Sequence, residues 1–128
     1  MMKRLTLVLL LLVSAMALAV IPAMAQTADE PVVRAVLFWS DTCPHCHYVI
    51  EEVLPPLQEQ YGDQLDIVLV ELNNQESADR FYAAGAAYGL PQNRMGVPFM
   101  IVGEHALMGS SQIPDELPGL IEKYLAEG

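Results

Sequence analysis

Residues 32–46 read VVRAVLFWSDTCPHC. Val32 to Trp39 is β-branched and aromatic with one charge, Arg34, a pattern that predicts a largely buried strand. Ser40-Asp41-Thr42 leads from it into Cys43-Pro44-His45-Cys46. Pro44 suits a first helical turn, because its φ is already helical and its missing N–H would have no partner there. The spacing predicts a helix from Pro44 to about Gln60, with Val49, Val53, Leu54 and Leu57 on one face and Glu51, Glu52 and Glu59 turned to solvent. Pro55-Pro56 should kink or break that helix.

Downstream, Leu65 to Leu72 (LDIVLVEL) reads as a second strand. Asn73 or Asn74 is suited to cap a helix that runs to about Tyr88, with Gly89 as its stop; Ala78, Phe81, Tyr82, Gly85 and Tyr88 keep helical spacing. Val97 to Val102 (VPFMIV) reads as a third strand, Gly103-Glu104 as a tight turn, and His105 to Met108 as a fourth strand. A last helix is expected from near Asp115, with Pro118 in its first turn and Leu117, Leu120, Ile121, Tyr124 and Leu125 on one face. The order β-α-β-α-β-β-α implies an α/β fold. Its first crossover makes parallel strands and its short turn an antiparallel hairpin, giving a mixed four-stranded sheet flanked by helices.

Upstream, residues 1–25 have the pattern of a secretory signal. Lys3 and Arg4 precede an almost wholly apolar stretch, Leu5 to Ile21, and Ala23-Met24-Ala25 matches a cleavage site. The 17 apolar residues lie at the lower edge of what spans a bilayer, so an uncleaved anchor is the alternative. Either way the folded part is expected outside the cytoplasm, periplasmic or otherwise extracytoplasmic. Residues 26–128 are then one domain with one core, opened by a short polar leader to Pro31. With Lys3 and Arg4 set aside, four basic residues remain against 16 acidic ones, a formal net charge of −12. Nucleic acid is a poor partner for such a surface, which lacks clustered basic groups. Solubility accounts for the acidity more simply than a dedicated basic partner does.

Only two cysteines are present, Cys43 and Cys46. A ring that small is a weak staple, worth about 2 kcal/mol on a loop-length argument, so the pair points to chemistry. A C-x-x-C where a strand passes into a helix within a β-α-β pattern is a thiol-redox signature. The helix N-terminus, with its unpaired N–H groups and dipole, favours a Cys43 thiolate. Cys46, about one turn on and more buried, can resolve a mixed disulfide formed at Cys43.

On FWSDTCPHC (Phe38 to Cys46), Tyr88-Gly89 and GVPFMIVG (Gly96 to Gly103), nearly all of residues 26–128 resembles the thioredoxin family. The resemblance implies a cis peptide before Pro98, a substrate contact at Val97 through exposed backbone, and Trp39 packed beside the redox pair. Cys-Pro-His-Cys is similar to the motif of DsbA-type periplasmic disulfide oxidases, which also carry Val before the proline. It implies that Pro44 and His45 tune the Cys43 thiolate, which makes the disulfide more oxidising. Thioredoxins carry a buried acid six residues before the first cysteine, whereas this chain has Leu37. The chain is also too short for the helical insertion of DsbA, and resembles the compact domains found alone or beside membrane oxidases of the vitamin K epoxide reductase type. The expected activity is therefore extracytoplasmic thiol–disulfide exchange, as an oxidase or a relay to one, with a reductase or isomerase as the alternative. Implied partners are proteins bearing thiols or disulfides, and a quinone-linked membrane oxidase or a membrane reductase. No cofactor is expected.

Two other chemistries share these letters. Cys43-Pro44-His45-Cys46-His47 also matches C-x-x-C-H, the signature of covalent haem attachment, with Met95, Met100 or Met108 as candidate axial ligands. Small c-type cytochromes are mostly helical, whereas this motif follows a buried strand. A copper or zinc carrier using Cys43, Cys46, His45 or His47 lacks a second C-x-x-C, and His105 is remote. Paired catalytic carboxylates, phosphate-cradling loops and Ser–His–Asp patterns are not found in the sequence.

Overall fold

The computed structural model describes residues 29–128. The expected signal, residues 1–25, lies outside them. The elements are β1 (Val33–Trp39), α1 (Pro44–Tyr48), a π-helical turn (Val49–Val53), α2 (Leu54–Tyr61), β2 (Leu65–Glu71), α3 (Gln75–Ala87), β3 (Phe99–Val102), β4 (His105–Met108) and α4 (Gly109–Glu127). The sheet order is β2-β1-β3-β4. β1 runs parallel to β2, with Leu37 opposite Leu69, and antiparallel to β3, with Leu37 opposite Met100. β3 and β4 form the expected hairpin.

Alternation along β1 sends its side chains into two cores. Val33, Ala35 and Leu37 pack with Val49, Leu54 and Leu57 from the first helical run and with Ile113, Leu117 and Ile121 from α4. On the opposite face Phe38, Phe81 and Phe99 make a second cluster. Phe81 meets Phe38 and Phe99 edge-on, each at 5.7 Å between centroids. One sheet face is thus covered by α1, α2 and α4, the other by α3. The outer edge of β2 carries Val68 and Leu69, 51% and 44% exposed, with no strand beside it among the described residues.

The helix from Pro44 neither stops nor simply kinks at Pro55-Pro56. It widens one turn earlier, where the N–H of Leu54 bonds to the carbonyl of Val49, five residues back. Neither proline has an N–H, and each ring would crowd the carbonyl four residues before it; a π turn opens space at that point. Asn74 caps α3 in a reciprocal box with Ser77, and Gly89, at φ 72°, ends it.

Two boundaries differ from expectation. The third strand begins at Phe99, not Val97, because Val97 and Pro98 form the approach to it; the Val97–Pro98 peptide is cis. The last helix begins at Gly109, not near Asp115, and so Pro118 lies inside it, as does Pro114. Gly109, at φ 91°, turns the chain directly out of β4. Each internal proline costs a helix about 3 kcal/mol. That cost is met by a buried stripe: Ile113, Leu117 and Ile121, four apart, are all fully buried. Proline chemistry read locally predicts a late start, and tertiary burial overrides it.

At the far end of the sheet from the cysteines, the hairpin turn requires Gly103. Its φ is 54°, and an added Cβ would lie 2.3 Å from the ring of Tyr124. The Tyr124 hydroxyl accepts from the Glu104 N–H at 3.0 Å, and Tyr88 donates to the Gly103 carbonyl at 2.6 Å.

Candidate active site

The strand-to-helix junction builds the site. Cys43 is the N-cap of α1, with extended backbone, and its sulfur accepts the Cys46 N–H at 3.2 Å. That first-turn N–H is shared with the Cys43 carbonyl at 3.1 Å, and the sulfur stands where a capping oxygen does elsewhere. On its other side the Cys43 sulfur lies 3.7 Å from the Val97 carbonyl oxygen, with Cys43 as donor while it is a thiol. Strand β1, helix α1 and the approach to β3 therefore converge on one partly exposed sulfur.

Cys46 is different. It is 0% exposed, and its thiol is pushed up from 9.0 to about 12, first by burial and then by its hydrogen bond with Cys43. This structure holds the pair in its reduced form. Leu37, the residue six before Cys43, is fully buried in the larger core.

Pro44 and His45 lie between the two cysteines, and the Val97 carbonyl meets the Cys43 sulfur. Pro44 opens α1. The exposed His45 ring sets Nδ1 2.9 Å from the Ser110 hydroxyl, at the start of α4. Trp39 ends β1 and meets the ring of His47 edge-on at 6.0 Å. Pro98 is buried and Val97 half-buried.

Two participants were not legible as such in the sequence. Ser110 is 65 residues from His45, in a stretch whose local signals place the helix start later. His47 enters the sequence reading only through the haem and metal patterns, yet its ring bonds to the Asp41 carbonyl oxygen at 2.7 Å and to Glu51 at 3.2 Å. The i,i+4 spacing of His47 and Glu51 on a helix was the available signal.

The competing chemistries fit the geometry poorly. Haem attachment would need two accessible sulfurs and a free histidine nitrogen, whereas Cys46 is fully buried and both His47 nitrogens are engaged. Among the described residues no three His, Cys, Asp or Glu side chains are grouped to hold a metal ion. No described helix is long and apolar enough to cross a membrane.

No family model and no curated protein matches the chain. Solved structures do. A chain from a study of thiol resolution in a yeast mitochondrial 1-Cys peroxiredoxin through glutathione and thioredoxin systems aligns with a TM-score of 0.54 at 16% identity, covering 73% of this chain and 80% of that one. A thioredoxin-like protein from Clostridium perfringens gives 0.53 at 16%, covering 76% and 74%. Thioredoxin-2 of the malaria parasite gives 0.50 at 21%, covering 72% and 82%. At such identities the likeness is one of fold. The chain has a thioredoxin-like α/β fold, with a mixed four-stranded sheet flanked by helices and a cysteine pair where β1 enters α1.

Proposed function

We propose that the chain is an extracytoplasmic thiol–disulfide oxidoreductase that oxidises substrate thiols directly or relays oxidising equivalents. The observation that carries the redox reading is the asymmetry of the pair: Cys43 is partly exposed, capped by a backbone N–H, and Cys46 is sealed and held as a thiol. The signal-like residues 1–25 support export.

Starting from the oxidised pair, a substrate thiolate attacks the Cys43 sulfur. The Cys43–Cys46 bond breaks, a substrate–Cys43 disulfide forms, and Cys46 leaves and takes up a proton. A second substrate thiolate then attacks the substrate sulfur of the mixed disulfide. A substrate disulfide forms, Cys43 leaves as thiolate, and two electrons have passed to the pair. A Cys46 held protonated is a slow competitor for the mixed disulfide, which gives the second substrate thiol time to react. Leu37 favours the same direction, because it offers no carboxylate to take the Cys46 proton. Substrates of this kind are proteins bearing thiols or disulfides. A membrane oxidase coupled to quinone would reoxidise the pair, and a membrane reductase would drive it the other way.

The deciding measurement is the Cys43–Cys46 reduction potential against glutathione. A value near about −120 mV supports the oxidising role, and one near about −270 mV overturns it in favour of a reductase. Cys43→Ala should abolish exchange, and Cys46→Ala should trap mixed disulfides. Normal turnover of dithiol substrates by Cys46→Ala would refute the role given to Cys46.

A further inference from the structure

His47 joins the two segments that hold Cys43. It stands in α1, where its backbone N–H donates to the Cys43 carbonyl at 3.2 Å. Its Nε2 lies 2.7 Å from the carbonyl oxygen of Asp41, in the loop between β1 and Cys43, and 4.0 Å from an Asp41 carboxylate oxygen. Its Nδ1 lies 3.2 Å from a carboxylate oxygen of Glu51, one turn further along the helical run.

A carbonyl oxygen and a carboxylate can only accept. A neutral imidazole carries one N–H and so satisfies one of the two, whereas the imidazolium satisfies both. The charged groups acting on His47 are Asp41 from the loop and Glu51 from its own helical run. From β1, uncharged Trp39 faces the ring. The hydrogen bond to the Asp41 carbonyl, and then that to Glu51, raise the His47 pKa above its ordinary 6.5.

We propose that His47, as an imidazolium clamped between Asp41 and Glu51, is a positioning residue for Cys43: it fixes the entry loop and places a positive charge one helical turn from the nucleophilic sulfur. The inference rests on the thiol–disulfide reading of the site. The loop is also tied by the Cys43 N–H to the Ser40 carbonyl at 3.1 Å and by the Ser40 backbone to the Cys46 sulfur. Loss of the His47 proton breaks one of its two ring bonds. It also takes the Asp41–His47–Glu51 cluster from a formal charge of −1 to −2, beside a group that reacts as an anion. The Cys43 thiolate is then less favoured, by nearby charge.

The test is the rate of Cys43 alkylation in the reduced full-length chain, followed from about pH 5 to 9, with the His47 ring titrated by NMR in the same range. The wild type should show a step in reactivity that coincides with the His47 titration. His47→Gln should lose that step and react about three- to tenfold more slowly on its acid side. His47→Lys should restore the rate to within about twofold, with the step still absent. Glu51→Gln should move ring titration and reactivity step together to lower pH. A His47→Gln profile that superposes on the wild type overturns the proposal, as does an equal loss in His47→Gln and His47→Lys, which would indicate packing alone. Disulfide exchange by the wild type is measured in parallel. If exchange persists while the profiles superpose, only the role of His47 fails; if the wild type exchanges no disulfides at all, the redox reading itself fails.

Discussion

Leu37→Asp would place an acid where the core has a fully buried leucine, flanked by Leu69 and Met100 on the neighbouring strands. Losing the buried leucine costs about 2–3 kcal/mol, and a neutral carboxyl group left without a partner costs about 1–3 kcal/mol more. Roughly 3–6 kcal/mol is therefore lost even with the carboxyl protonated, from a fold of this size that has about 5–15 kcal/mol in all. Burial also raises the folded-state pKa of the new acid above its unfolded value of about 3.9. Stability is then greatest below about pH 3.9 and is lost as pH rises through the window up to the folded pKa, by about 1.4 kcal/mol per pH unit. By pH 7 the further loss can reach about 4 kcal/mol, enough to unfold a chain that still folds near pH 4. Urea denaturation followed by Trp39, the single tryptophan, at a series of pH values measures this directly. Leu37→Asn is the control, with the same constant penalty and no titration. If the two variants differ by a constant amount from pH 4 to 8, the carboxyl reaches water and the core around Leu37 is not sealed.

Ser110→Ala removes the 2.9 Å hydrogen bond to His45. With one bond worth about 1 kcal/mol, the reduction potential should fall by up to about 20 mV with the fold intact; an unchanged potential would show that Ser110 does not act through His45. In Cys43→Ser, burial still holds Cys46 as a thiol, so an alkylating reagent at neutral pH should label it only after unfolding. Rapid labelling of the native variant would contradict that. Because the folded thiol titrates near 12 and the ordinary one near 9.0, the reduced wild type should lose stability as pH climbs above 9.0, which alkaline denaturation would show. Gly103→Ala combines a positive φ with a contact 2.3 Å from the Tyr124 ring and should cost about 2–4 kcal/mol in a denaturation curve, less if Tyr124 is also made smaller.

The sequence alone determined the layered fold and the place of the cysteine pair. Val32 to Trp39 is a β-branched and aromatic run with one charge, Leu65 to Leu72 follows after a helix-length interval, and Gly103-Glu104 separates two short apolar runs. These are local signals, and here the tertiary packing agrees with them. The cysteine motif was legible because strand, loop, N-cap and first turn are contiguous. Tertiary structure alone decided the rest. The start of α4 depends on what Ile113 and Leu117 bury against, which no local reading of Pro114 and Pro118 supplies. The bond from His45 to Ser110 joins residues far apart in the chain, and the resemblance that brings Val97 to the site says nothing of its carbonyl meeting the Cys43 sulfur. The rise of the Cys46 thiol to about 12 comes first from burial, a property of packed neighbours and not of the four-residue motif. Spacing brings the two sulfurs within reach of each other, and burial separates their chemistry.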